Sequence, residues 1–123
     1  MGALNERMGI TLVEATAERV VMTMPVEGNT QPYGVLHGGA SCVLAEAVGS
    51  VGAGIAARDG RFPVGIDINA THHRSVREGV VTATGRPLHS GRTTATWAIE
   101  ITDDRGRLVC SARLTCALLE PRG

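Results

Sequence analysis

The chain contains no lysine: all twelve of its basic residues are arginine, and twelve acids balance them to a formal net charge of zero. Arginine's planar fork suits bidentate contact with phosphate, but arginine usage alone decides nothing about a ligand. Without an excess of positive charge or a long basic run, neither a nucleic-acid groove nor an anionic membrane surface is indicated. A small molecule is the expected partner. Aromatic residues are almost missing too, with one Phe, one Trp and one Tyr. Little stacking surface is therefore on offer for an aryl group, although small apolar residues can still line a pocket. No apolar run makes a signal-peptide core followed by a cleavage site, and none reaches membrane-spanning length free of Gly and Glu. A cytoplasmic protein that does not enter the membrane is expected. The three cysteines, Cys42, Cys110 and Cys116, form no CxxC pair and no metal-ligand spacing, and read as small core residues.

What is present is one domain's worth of alternating and helical pattern. The 123 residues are read as a single domain, 1–123, small enough that partner subunits would help cover its core. Two short strands are expected first, residues 10–14 and 19–26. A turn-rich loop, "EGNTQPYGVLH", follows. From residue 39 or 40 to about 58 the sequence is long, Ala-rich and apolar on nearly all sides, which predicts a buried helix. Its Gly-rich second half is poor in helix propensity, so close packing against a sheet is expected to explain those glycines. Period-two alternation then predicts a half-buried strand with Val64, Ile66, Ile68 and Ala70 on one side. Three more strands follow, around 79–87, 93–102 and 108–119, with "HSGR" and "DDRGR" as hairpin turns. The expected fold class is α+β, a curled antiparallel sheet wrapped around one long helix.

Leading into that helix is "HGGASCVLAEA", residues 37–47, where Glu46 is the only charge between Gly38 and Ala57. A buried, unpaired carboxylate costs several kcal/mol, so a sequence that keeps one pairs it, exposes it at an interface or uses it. Its helix neighbours three and four residues away are Cys42, Val43, Gly49 and Ser50, and only Ser50 offers a firm hydrogen bond. The expectation is a desolvated carboxylate serving as base or nucleophile. Asp67, on the polar side of its strand, is by contrast expected to be solvated.

His37-Gly38-Gly39 directly precedes the helix. The first backbone N–H groups of a helix lack internal partners and carry partial positive charge, so such a turn can polarise a carbonyl and hold an oxyanion. Eight helical residues rise about 12 Å, too far for Glu46 to share one carbonyl with Gly38 of the same chain. A composite site is expected, with Glu46 of one subunit facing His37 and Gly38 of another.

Three stretches, "QPYGVLHGGASCVLAEAVGS" (31–50), "GIDINATHHRSVREG" (65–79) and "PLHSGR" (87–92), together resemble the hotdog-fold acyl-CoA thioesterases. The likeness is to the glutamate branch, which includes phenylacetate-pathway, 4-hydroxybenzoyl-CoA and dihydroxynaphthoyl-CoA thioesterases. The resemblance implies hydrolysis of an aryl-, arylacetyl- or medium-chain fatty acyl-CoA thioester to an acid and free coenzyme A. It places Glu46 as nucleophile or general base and the Gly38 N–H as the group that polarises the carbonyl. His37 and Gln31 would orient the thioester, and Ser50 would sit near the attacking water. For the coenzyme A moiety it points to Gly65, to His72, His73, Arg74 and Ser75, and to His89, Ser90, Gly91 and Arg92. Tyr33 is a candidate for closing over the acyl end. The resemblance further implies a dimer paired through the 64–72 strand, and a homotetramer built as a dimer of dimers. No cofactor is expected beyond the coenzyme A thioester substrate. No metal is expected, because His72, His73 and His89 have no acidic or cysteine partner at ligand spacing. Two other readings stay open at this level: a hotdog acyl-thioester hydratase or dehydratase, and a non-catalytic acyl-CoA-binding protein.

Overall fold

Alternating Val, Thr, Ile and Met residues make strands here, and one Ala- and Gly-rich stretch makes the helix they enclose. The computed structural model describes residues 1–122. In chain order the elements are α1 (Ala3–Arg7), β1 (Thr11–Ala15), β2 (Val20–Pro25), α2 (Gly38–Ala56), β3 (Phe62–His72), β4 (Val80–Ser90), β5 (Thr94–Thr102) and β6 (Leu108–Leu119). The strands form one antiparallel sheet in the order β1-β2-β4-β5-β6-β3. This is the expected α+β architecture, with β2 to β6 all in contact with α2. The core between them is built from α2 residues Leu44, Ala45 and Val48 against Met22, Met24, Trp97, Ile99 and Leu114 of the sheet.

The glycines of α2 set how closely helix and sheet approach. A methyl on Gly49 would lie 2.6 Å from Leu114 Cδ2, and one on Gly52 would fall inside the indole of Trp97. Residue positions that look helix-poor are therefore where the sheet comes nearest, as expected. By length and mean hydropathy, 1.4, α2 passes for a membrane span. In this fold it is the core helix, its inner face covered by the sheet.

Three features differ from the expectation. The five-residue helix α1 has no side-chain cap and no buried residue, so it leaves neither a capping nor a periodic signal. In β3, a bulge between Gly65 and Asp67 inserts Ile66 and breaks the expected alternation. Pro63 and Gly65 face α2 with Ile68 and Ala70, while Val64 and Ile66 are 40% and 61% exposed. Finally β4 runs through His89 to Ser90, past a second bulge between Pro87 and His89, where a turn was expected from His89 onward. β1 and β3 are the two edges of the sheet.

Candidate active site

α2 positions two of the predicted groups, one at its start and one two turns on. At its N-terminus His37 is the cap: Nδ1 accepts from the Gly39 N–H at 2.8 Å, while the N–H groups of Ala40 and Ser41 donate to the His37 carbonyl. Gly38 is the first helical residue. A methyl there would lie 2.9 Å from His72 Nε2, so glycine lets the end of β3 close against the helix start. Gln31, Gly38, His72, His73, Arg74 and Ser75 line one groove. In that loop the Gln31 side-chain oxygen accepts from the Tyr33 N–H, which fixes the carboxamide orientation. Tyr33 itself is 84% exposed. His73, just past the end of β3, pairs with Ser111 Oγ at 3.0 Å.

Glu46 lies elsewhere, on the flank of α2 that looks toward the edge strand β3. A methyl on Gly65 would lie 2.5 Å from its Oε2, so the bare backbone of Gly65 is what leaves space for the carboxylate. On one side of Glu46 is a groove walled by Met1 and by Leu4 and Asn5 of α1 and floored by Val43, Ala47 and Val51 of α2, with Ser50 beside the carboxylate. On the other side is a smaller groove formed by Gly65 to Ile68 with Leu114. The expected burial of Glu46 is not found within one chain: the residue is exposed, because nothing lies beyond β3 to cover the seam. Asp67 is exposed as expected.

Beneath this seam sits a residue that sequence reasoning left in the core, Cys116, which pairs with Gly65 across β3 and β6. Burial pushes its thiol up from the ordinary value, a hydrogen bond with Ser50 pulls it back, and the negative charge of Glu46 raises it further. Cys116 thus lies in the electrostatic neighbourhood of the two candidate groups. Cys110, further along β6, is pushed up to about 11 by burial, with a contribution from Cys42. Both thiols remain protonated and unreactive at neutral pH.

The remaining predicted residues fall at the far end of the sheet. Strand register puts Ser90 level with Ala95, Cys116 and Gly65, whereas His72 is level with Cys110, Ile101 and Ala83. Along β3 that separation is seven residues, one of them bulged, or about 20 Å. His89, Ser90, Gly91 and Arg92 are therefore not brought together with His72 to Ser75 in one chain. They gather instead beside the loop after α2, where Arg58 donates to the Ser90 carbonyl and Arg92 stands 4.0 Å from Asp59. Gly65 stands apart from both groups. It was expected with the coenzyme A contacts, and it lies against Glu46.

Sequence reasoning missed a charged groove around Arg74, in which four arginines meet Glu78, Asp103 and Asp104. It brings Arg77, Arg105 and Arg107 to Arg74, because the loop after β3 meets the β5–β6 turn. Part of that charge is spent internally. Asp103 accepts from the Arg105 and Arg107 N–H groups and from Arg107 Nε; burial opposes ionisation of Asp103, and these bonds outweigh it and hold the carboxyl below its ordinary value. Among the described residues no three His, Cys, Asp or Glu side chains cluster as a metal site would require.

Residues 33–110 match the family described as the thioesterase superfamily, a span that includes both grooves' helix and most of the sheet. The chain belongs to that superfamily, has its hotdog fold and is a thioester hydrolase. Among its relatives, the proofreading thioesterase EntH of Cronobacter sakazakii is 43% identical over 120 residues, covering 97% of this chain and 88% of that one. The 1,4-dihydroxy-2-naphthoyl-CoA hydrolase of Escherichia coli K12 is 53% identical over 98 residues, 79% of this chain and 72% of its own length. A crystal structure of a thioesterase from Haemophilus influenzae superposes with a TM-score of 0.91 at 39% identity, covering 96% of this chain and 83% of that one.

Proposed function

We propose that the protein hydrolyses acyl-CoA thioesters to a carboxylic acid and free coenzyme A. Glu46 of one subunit acts as nucleophile or general base on a carbonyl polarised by the Gly38 N–H of another. The observation that carries this is the position of Glu46: a lone carboxylate held against Gly65, open on one side to an apolar groove and on the other to the unpaired edge β3. Covered by a second chain it becomes the desolvated group that acyl transfer needs.

The two half-sites explain why a second chain is required. Gly38, Gln31 and His72 share one groove and Glu46 with Ser50 another, so each chain holds half of the machinery twice over in a symmetric dimer. Pairing of β3 with its copy would continue the sheet, since β3 is an eleven-residue open edge. Two such dimers would make the tetramer. Arg74 and Arg92 are the phosphate partners of coenzyme A, contributed from opposite ends of the sheet and thus from different subunits around one nucleotide. An aryl, arylacetyl or medium-chain acyl group fits the apolar groove, and the dihydroxynaphthoyl substrate named for the Escherichia coli relative favours an aryl group. The reaction needs no metal or cofactor, and a cytoplasmic location suits its substrate.

The test is thiol release from benzoyl-, phenylacetyl- and octanoyl-CoA. Glu46→Gln should lower kcat by about 10²- to 10⁴-fold while the variant stays folded by circular dichroism. Unchanged turnover in that variant would defeat the assignment.

A further inference from the structure

The short helix α1 has no buried residue, and its Leu4 is 54% exposed. Leu4 nonetheless has a defined place, since with Asn5 it forms the wall facing Val51 across the groove that ends at Glu46. The segment is also held in register. Asn29 Nδ2 donates to the carbonyls of both Met8 and Pro25 at 2.8 Å, tying the end of α1 to the end of β2, and Ile10 just beyond is buried.

We infer that α1 is the outer wall of the acyl pocket and that Leu4 sets which acyl groups the site accepts, favouring apolar groups larger than acetyl. This rests on the reading of Glu46 as the reacting carboxylate. An acyl group whose carbonyl sits at Glu46 has two directions in which to extend. Toward β3 the groove holds about 210 Å³ and is backed by Leu114. Toward α1 it holds about 440 Å³, which lies within the usual range of roughly 300–1,000 Å³ for small-molecule sites. The α1 side is also the apolar one, with aliphatic side chains on wall and floor and no aromatic residue. Its recognition is by size and apolar contact, not by ring stacking. Leu4 is the side chain whose exposed surface such a group would cover, and as a wall residue of the groove it gauges acyl size with no part in the chemistry.

The experiment compares thiol release from acetyl-, octanoyl- and benzoyl-CoA by the parent chain, Leu4→Trp and Leu4→Ala, with Glu46→Gln alongside. Leu4 is exposed, so neither change threatens folding. Leu4→Trp, which fills the groove, should lower kcat/KM for octanoyl- and benzoyl-CoA at least tenfold and alter acetyl-CoA by no more than about twofold. Leu4→Ala should weaken the same two substrates severalfold and spare acetyl-CoA. An equal change across all three substrates, or none, would overturn the inference. So would a shift in the elution volume of Leu4→Trp on size exclusion, which would show the face to be covered by a second copy. Parental turnover in Glu46→Gln would instead overturn the catalytic reading beneath it, separating the two failures.

Discussion

Glu46 and Gly65 are a matched pair. The carboxylate occupies the space that any side chain at position 65 would take, its Oε2 only 2.5 Å from the nearest place a methyl could go. Gly65→Ala should therefore displace Glu46 without disturbing the core, because the new methyl points at the mobile end of a side chain that is otherwise exposed. The expected outcome is a tenfold or greater fall in kcat, on the scale of misplacing a reacting group by about 1 Å, with a melting temperature close to the parent's. A variant that loses stability but keeps turnover would show Gly65 to be structural only. Glu46 was legible in the sequence because a single charge in a twenty-residue apolar stretch is conspicuous. Its partnership with Gly65 was not, because the bulge at Ile66 reverses which side of β3 faces the helix, and a run of Val64, Ile66, Ile68 and Ala70 gives no sign of a reversal.

Among the elements, α2 and the sheet it lies on show the clearest dependence on small residues. Gly52 is covered by the Trp97 ring, whereas Gly54 has only Pro63 Cγ nearby, 3.3 Å from an added methyl. Replacing glycine by alanine in a helix ordinarily gains about 1 kcal/mol. At Gly52 overpacking should outweigh that gain, and Gly52→Ala should lower the unfolding free energy by about 1–3 kcal/mol in urea titration. Gly54→Ala should be near neutral. Equal effects at the two positions would contradict the packing account. The helix α2 and all six strands were readable from periodicity and turn residues. The helix α1 escaped because five residues without a cap or a buried face carry no pattern, and the end of β4 escaped because "HSGR" reads as a turn although the chain bulges and stays extended to Ser90.

For the whole molecule, one chain holds the residues of the proposed site in pieces. The motif at the helix start and the carboxylate two turns on are separated by the rise of the helix itself, which the sequence made plain. That His72 to Ser75 and His89 to Arg92 lie at opposite ends of the sheet was not plain, since it depends on the register of β4, β5, β6 and β3 together. Both separations are resolved in the same way if subunits pair along β3, whose exposed Phe62, Val64 and Ile66 make an apolar open edge. The central claim is thus that Glu46 works with the Gly38 of a partner. Mixing two inactive variants tests it most directly. Glu46→Gln removes the carboxylate, and Gly38→Pro removes the N–H at the first helical position, where the helix backbone tolerates proline although its ring also pushes His72 aside. After the two are unfolded and refolded together, half of the dimers are mixed and each has one intact site, so turnover should return to about a quarter of the parent's. Mixed dimers that are seen by native mass spectrometry and remain inactive would contradict the account.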